Sequence, residues 1–425
     1  MTSTSYYLPE LGSPSFTPLL LRYVLSHPSL KGWSINPSLL SVLLLALIVR
    51  KGGILIDIAS REIDDITKVL QGIVHSIFGL RSHRLALHQD VGPDEINNLL
   101  STWRSFSHGH ISTDNNDEKF NQEINEDLDV LIITGLENAS SPVKIKLCDI
   151  LTKKRFKAPM WKQEMNGTDN QQEETNEFCE DKMEIQFDPL VIWVREEGSE
   201  VPSWVIDQFM LSIHVDFDDI EIPPPDLEHT KIIPLSYLSP LTRLLPFVHI
   251  HAPLQIHISN LFSAVSSHPS LRTTFTGKAF RVLPEYIKAH RILSGDIQIP
   301  KSFFNSPEEA IEDKKGLGGG IGGVDTWNQL AGEQPTLIEF INDEDEDELG
   351  IEDPYCTPLN VIGIWKVFVT HRCRLREERE EVMYLIKGSA SSAYAEDELT
   401  QNKNNNVNRK MKGLDRILDE IIRTV

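Results

Sequence analysis

Short apolar runs alternate with helical patterns along the first half of the chain. A nearly unbroken apolar stretch at residues 37–49 follows Asn36, a good helix-capping residue, and predicts a buried helix. Gly52 and Gly53 then lead into an apolar run at residues 54–58 that predicts a strand. Further strands are predicted at residues 130–133, 190–194 and 210–217, with a helix at 142–152 between the first two. Strands separated by helices are typical of a parallel sheet with crossover helices.

After Pro253 the apolar period becomes helical. One helix face is formed by Leu254, Ile258, Leu261, Phe262 and Val265, and residues 279–293 give a second such pattern. The sequence thus predicts an α/β fold, in which a parallel sheet with crossover helices is followed by a smaller helical domain. We place the α/β domain at residues 1–230, the helical domain at 231–384, and a polar tail with a terminal helix at 385–425.

Three polar stretches interrupt these domains with compositions that do not pack into a core. They lie at about residues 112–127, 162–182 and 305–353. The third joins a glycine-rich segment, residues 316–323, to an acidic run at 343–348, and both favour a mobile or disordered loop. We interpret all three as insertions.

The chain is strongly acidic. Its 425 residues include 41 Lys and Arg against 63 Asp and Glu, which gives a formal charge of -22 at pH 7. Such a surface repels a nucleic-acid backbone or an anionic membrane leaflet. We therefore expect protein partners, with no direct binding to nucleic acid or membrane.

The cysteines and the first residues predict an intracellular protein. Cys148, Cys179, Cys356 and Cys373 are far apart and form neither a CxxC pair nor a disulfide framework, which fits a reducing compartment. No secretory signal pattern opens the sequence, and the longest apolar run, residues 39–49, is shorter than the roughly 20 residues that cross a bilayer. We expect a cytoplasmic or nuclear location.

A phosphate-binding loop is missing where the first strand would place it. Such a loop needs glycines that let backbone N–H groups approach the phosphates, followed by Lys and Ser or Thr. The chain after Ile56 reads DIASREIDDITK, which has no glycine and four carboxylates. Thr67 and Lys68 stand in the wrong order, and we interpret them as exposed helix residues.

The glycine-rich segment at 316–323 follows no predicted strand and opens no helix, so it predicts a linker.

No metal site or catalytic residue stands out. His249, His251 and His257 are close in sequence, but Pro253 breaks their segment and no HExxH motif accompanies them. The acidic run lacks the spaced ligands of a Ca²⁺ loop. Neither a GxSxG serine nor a Cys-His pair can be identified. The sequence therefore predicts no metal ligands and no catalytic residues.

Four short phrases, taken in order, resemble the AAA+ ATPases of the MoxR and magnesium-chelatase ATPase-subunit group. The helix and strand at residues 43–56 resemble those that precede the family's phosphate loop, and EEG at 196–198 with VPSWVIDQF at 201–209 is similar to its sensor-1 strand exit and "LLDRF" segment. VSSHP at 265–269 with GKA at 277–279 resembles the lid phrase "THPDVxLGASPRA", and TPLNV at 357–361 with HR at 371–372 resembles the closing phrase "VTPEDV... HR".

The resemblance extends over most of residues 16–375. It implies an AAA+-like α/β nucleotide-binding domain, a helical lid, and a ring of subunits with nucleotide between them. It also implies that the stretch at 162–182 lengthens a hairpin ahead of the sensor-1 strand. Some fungal proteins grouped under maintenance of telomere capping look like similarly degenerate relatives.

The positions that perform hydrolysis in this family differ here. The family's acidic pair corresponds to Thr134-Gly135 or Gly135-Leu136, and Glu137 is out of register. The sensor-1 Asn corresponds to a position near Val194 or Arg195. The Arg of "LLDRF" is replaced by Gln208, and the lid Arg is replaced by Lys278. Only Lys278 keeps the charge, without the planar fork of an arginine. An arginine acting on a neighbouring subunit's phosphate is worth roughly 10³ to 10⁵ in rate, so losing it with the other groups leaves no credible hydrolysis.

These departures favour a catalytically degenerate AAA+-like protein, a pseudo-ATPase that acts as a scaffold or regulatory partner in a homo- or hetero-oligomer. Lys278 and Arg195 are then vestigial cofactor-binding residues that still hold an anion, and no cofactor is expected. The first alternative is an ATP-dependent, magnesium-chelatase-type ATPase subunit, which would require ATP and Mg²⁺. The second is an unrelated interaction protein whose acidic loop recruits a basic partner.

Overall fold

The computed structural model describes residues 8–107, 130–159, 182–199, 201–216, 221–224, 231–297, 354–376 and 403–425. The predicted insertions at 112–127 and 305–353 lie outside these residues, as does all but the last residue of the one at 162–182.

The described residues form helices and strands in alternation. The α-helices are α1 (Phe16–Leu25), α2 (Pro37–Val49), α3 (Ile63–Gly72), α4 (Pro93–Ser107), α5 (Ser141–Lys153), α6 (Ser203–Ile206), α7 (Leu235–Leu244), α8 (Ala252–Ser267), α9 (Gly277–Ser294), α10 (Pro358–Val369) and α11 (Lys403–Thr424). The strands are β1 (Gly53–Ile58), β2 (Ser82–Ala86), β3 (Val130–Thr134), β4 (Arg155–Pro159), β5 (Lys182–Gln186), β6 (Leu190–Glu196), β7 (Phe209–His214), β8 (Leu271–Thr273) and β9 (Cys373–Leu375).

Five of these strands form one parallel sheet in the order β2-β3-β6-β1-β7. All five carboxyl ends therefore lie at one edge of the sheet and all five amino ends at the other. The predicted fold class, α/β with crossover helices followed by a helical part, is confirmed. Some strand ends differ by one to three residues: β6 continues to Glu196 rather than ending at 194, and β7 stops at His214 rather than at 217, where its pairing with Asp57 of β1 ends.

The central helix α2 forms as its sequence predicts. The side chain of Asn36 accepts hydrogen bonds from the backbone N–H groups of Ser38 and Leu39, which caps the helix. Arg50 ends it in the left-handed conformation. Ten side chains of α2 are buried, between the sheet and α9, so packing rather than helix propensity stabilises it.

Two apolar clusters cover the two faces of the sheet. The larger contains α2, α3 and the helical half, a name used here for α7, α8, α9 and α10. The smaller contains α5 and α6 around the fully buried Trp193. Because the larger cluster is continuous from the sheet to the helical half, the two parts share one core, and the predicted boundary at residues 230/231 stays a prediction.

Two peripheral elements complete the description. β4 and β5 pair antiparallel immediately before β6, and the residues between them belong to the predicted insertion at 162–182. The terminal helix α11 buries Leu414, Leu418 and Ile421, and its Asp419 forms an ion pair with Lys366 of α10 at 2.7 Å. The predicted terminal helix is therefore present and packs on the helical half.

Candidate functional site

The carboxyl edge of the sheet carries a nearly buried ion pair. Asp57 near the end of β1 and Arg195 near the end of β6 are register partners, so their side chains emerge side by side. The Nε and Nη2 atoms of Arg195 each lie 2.6 Å from Oδ1 of Asp57. Only 9% of the Arg195 side chain and 14% of the Asp57 side chain are exposed. The charge of Arg195 is therefore matched within the chain.

The groups beside this pair are also engaged with one another. The guanidinium of Arg195 lies 5.4 Å from the ring centre of Trp193, whose Nε1 donates to Oε2 of Glu137 at 3.3 Å. The ammonium of Lys144, at the start of α5, donates to the backbone carbonyl of Glu137 at 2.9 Å. Glu137, the carboxylate closest to the predicted acidic pair, is thus held by its neighbours.

Backbone geometry fixes the turn that follows β3. Gly135 has φ +74, and a Cβ atom there would lie 2.2 Å from the carbonyl oxygen of Leu87. Only glycine fits this close approach. The position where an acidic pair would stand is therefore used for contact between β3 and the chain after β2.

The segment after β1 is a short turn into α3, with its carboxylates in ion pairs. Asp64 pairs with Arg84 at 2.6 Å and Asp65 with Lys68 at 2.8 Å. Lys68 is exposed, as predicted, but the prediction of exposure is wrong for Thr67, which is 1% exposed. The Thr67 hydroxyl donates to the carbonyl of Ile63 at 2.7 Å, so the helix itself satisfies it inside the core.

A second polar cluster lies at the opposite, amino edge of the sheet, where β7 begins. The hydroxyl of Thr276 donates to Oδ1 of Asp207 at 2.5 Å, and Nζ of Lys278 donates to Oε1 of Gln208 at 3.1 Å. Arg372 lies 4.0 Å from the same Asp207 carboxylate. Three of the four phrases that carry the family resemblance thus meet in this cluster, which joins the helical half to the sheet.

Arg372 is the buried centre of this cluster. Its side chain donates to the carbonyls of Phe209 at 2.9 Å and Phe368 at 3.0 Å. Burial lowers the pKa of Arg372 to about 10, and Asp207 opposes that shift. His371 beside it contacts Ser212 at 2.9 Å, and burial followed by the charge of Arg372 holds the pKa of His371 well below 6.5.

Lys278 lies at the rim of the same cluster. Burial lowers the pKa of Lys278, Asp207 opposes this shift, and Arg372 reinforces it. The ammonium therefore shares its surroundings with one carboxylate and one guanidinium. Among the described residues, the hydrogen-bond acceptor of its ammonium is Oε1 of Gln208.

The two predicted anion-binding residues are not brought together. Arg195 lies at the carboxyl edge beside Asp57, whereas Lys278 contacts Gln208, whose carbonyl accepts from the N–H of Gly53 at the amino edge. Gly53 and Asp57 are four residues apart on β1, or roughly 13 Å at about 3.3 Å per residue. One phosphate group cannot contact both, and anion binding at either residue stays a prediction.

The three histidines that lie close together in sequence, His249, His251 and His257, do not form a cluster of metal ligands in the described structure. The ring of His251 stacks on Tyr355 with 4.1 Å between centres, and that of His249 lies 5.9 Å from the same ring. His257 lies further along α8. Over the parts of the chain that the structure describes, no three His, Cys, Asp or Glu side chains converge as metal ligands, and no helix is long and apolar enough to cross a membrane.

Comparison by sequence finds no match for the chain, whereas comparison of structures finds similar folds. No protein-family model and no curated protein sequence matches the chain. Among solved structures, the chain is similar to a Cytophaga hutchinsonii protein described as a putative ATPase, with 12% sequence identity, 96% of each chain covered and a TM-score of 0.48. The fold described above rests on the chain's own sheet and helices.

Proposed function

We propose that the chain is a catalytically degenerate AAA+-like protein of the magnesium-chelatase and MoxR type, a pseudo-ATPase that acts through its surfaces as a scaffold or regulatory partner. The observation that carries the proposal is the Asp57–Arg195 ion pair at the carboxyl edge of the sheet. In open α/β sheets this edge is where ligands bind. Here the carboxylate of Asp57 already pairs with Arg195, the cation that a bound phosphate would need.

The energetics favour the internal pair over a bound phosphate. A phosphate could engage Arg195 only if Asp57 were displaced, and separating one member of a buried ion pair typically costs about 3–5 kcal/mol. Glu196 and Glu197, which directly follow Arg195, add repulsion toward an anion. The acidic edge therefore opposes nucleotide binding.

The residues present do not fit Mg-ATP. A magnesium–phosphate site uses backbone N–H groups of a glycine-rich loop and free carboxylate or hydroxyl oxygens. The segment after β1 contains no glycine, and Oε2 of Glu137 accepts a hydrogen bond from Trp193. We accordingly propose no ATP and no metal as cofactor, with Arg195 and Lys278 as vestigial anion-binding residues.

Equilibrium binding of a fluorescent ATP analogue to the full chain tests this proposal. We expect no saturable binding, with or without Mg²⁺, up to about 1 mM, the upper end of ordinary KM values. The free fluorophore serves as the control for non-specific binding. Saturable, Mg²⁺-dependent binding would overturn the proposal and favour the ATP-dependent, magnesium-chelatase-type subunit.

A second arm concerns the vestigial anion sites. Inorganic tripolyphosphate is titrated against the wild type, Asp57→Asn and Lys278→Met. We expect Asp57→Asn to bind it more tightly than the wild type, because the substitution frees Arg195, and Lys278→Met to lose any weak binding at the amino edge. Equal affinities in all three proteins would refute the assignment of both residues.

A further inference from the structure

The first helix of the chain has two apolar faces. Its inner face buries Phe16, Leu20 and Val24 completely in the core. On its outer side Leu19 is 43% exposed and Leu25 is 37% exposed. Apolar side chains left exposed on a helix surface often mark a contact site when they form a patch. The outer face of α1 is therefore suited to contact with another molecule.

Leu25, but not Leu19, lines an open groove beside α1. The groove has a volume of about 510 Å³ and is lined by Pro18, Leu21, Arg22, Leu25, Ser26 and Pro37. Pro18, Leu21 and Leu25 follow one another at spacings of three and four residues, which places them in a row along the helix. A small molecule would remain mostly exposed in so open a groove, whereas an amphipathic helix laid along the row would cover it.

Arg22 gives this groove a positive charge at one side. It is the only charged residue among those that line the groove, it is exposed, and within the described residues it forms no ion pair. A guanidinium at the side of an apolar row pairs best with a carboxylate, which it can bind through two parallel hydrogen bonds. A second copy of this chain is a poor occupant, because a twofold contact between α1 helices would bring two Arg22 side chains together.

We propose that this groove docks an amphipathic helix of a partner protein, whose apolar row packs on Pro18, Leu21 and Leu25 and whose flanking carboxylate pairs with Arg22. The proposal is independent of the pseudo-ATPase assignment, because it depends on α1 and the start of α2 alone.

Three synthetic 14-residue helical peptides test the proposal. They share one apolar row of leucines and differ at a single flanking position, which is Glu, Gln or Lys, and each carries a fluorescent label for titration with the full chain. We expect the Glu peptide to bind most tightly and the Lys peptide at least about tenfold more weakly, since like charges across an interface oppose binding. Leu25→Glu should weaken the Glu peptide by at least about tenfold.

A charge swap makes the test specific. Arg22→Glu should reverse the ranking, so that the Lys peptide binds more tightly than the Glu peptide. Ile256→Glu is the matched control, because Ile256 on α8 is 62% exposed and does not line the groove, and its affinities should equal those of the wild type. Thermal melting of each variant confirms that it is folded.

Three outcomes would overturn the proposal. The first is an absence of binding by all three peptides up to about 1 mM, where the interaction would be weaker than about -4 kcal/mol. The second is an unchanged ranking in Arg22→Glu. The third is concentration-dependent dimerisation of the wild type that Leu25→Glu abolishes, which would make a second copy of the chain the occupant.

Discussion

The hydroxyl of Thr276 donates to the carboxylate of Asp207 at 2.5 Å and accepts from the backbone N–H of Ala279 at 3.3 Å. The residue that caps α9 is thus also the residue that joins α9 to the start of β7. One side chain thus contributes both to the start of α9 and to its attachment to the sheet.

Thr276→Val removes both hydrogen bonds and keeps the shape. Loss of a capping side chain typically costs about 1 kcal/mol and loss of a hydrogen bond to a charged group about 1.5–3 kcal/mol, so we expect a destabilisation of about 2–4 kcal/mol. Thr276→Ser keeps the hydroxyl and should stay within about 1 kcal/mol of the wild type. Urea denaturation measures both, and equal midpoints for the Val and Ser variants would contradict the double role.

The buried His371 should make stability depend on pH. Its folded-state pKa is depressed, so below the ordinary value of 6.5 the unfolded chain binds a proton that the folded chain excludes. The contribution of His371 is complete above pH 6.5 and is lost on acidification by about 1.4 kcal/mol per pH unit. His371→Gln should therefore flatten the fall in stability between pH 6.5 and about pH 5, whereas His88→Gln, at an exposed site, should leave the slope unchanged. Urea denaturation midpoints measured across this pH range test the prediction. Equal pH slopes of stability for His371→Gln and the wild type would disprove a role of His371.

The Asp57–Arg195 pair should couple strongly in a double-mutant cycle. Asp57→Asn leaves a buried guanidinium without its counter-charge and should cost about 3–5 kcal/mol. Adding Arg195→Met removes the unpaired charge and should restore part of that loss. Asp149→Asn breaks the ion pair with Lys153, whose partners are about half exposed, and should cost less than about 1 kcal/mol. Strictly additive effects of the Asp57 and Arg195 substitutions would mean that the pair contributes nothing.

Gly135→Ala should destabilise the turn after β3. A methyl group would collide with the carbonyl of Leu87, and a positive φ is strained in any residue with a Cβ, so a loss of at least about 2 kcal/mol is expected. Gly92→Ala is the matched control, because a Cβ there meets nothing within 4 Å and the backbone is not left-handed. Thermal melting of both variants provides the comparison, and a Gly135→Ala protein as stable as Gly92→Ala would contradict the close approach.

Much of the secondary structure followed from local sequence, but β2, whose residues 82–86 form no apolar run, was not predicted. The cap at Asn36 and the apolar run after it define α2, and buried strands stand out as short apolar runs between helical patterns. These signals act over a few residues, so a single sequence contains them. The sequence also allows the prediction that Arg195 and Gln208 lie at opposite edges of the sheet, because Arg195 lies near the end of one parallel strand and Gln208 directly precedes the next.

The ion pairs could not be obtained in this way. Asp57 and Arg195 are 138 residues apart, and their contact depends on the register between β1 and β6. The approach of Arg372 to Asp207 depends on how the helical half packs against β7. Both contacts arise from tertiary geometry, which the hydrophobic pattern restricts only to a face of a strand or helix.

Arg372 sits between β7 and α10, with one guanidinium nitrogen on the carbonyl of Phe209 and another on that of Phe368. Hinge rotation of the helical half relative to the sheet would carry Arg372 with α10, keep its hydrogen bond to Phe368, and withdraw its guanidinium from the carbonyl of Phe209 and the carboxylate of Asp207. Such a motion would leave a buried charged group without two of its partners, which opposes opening at this point.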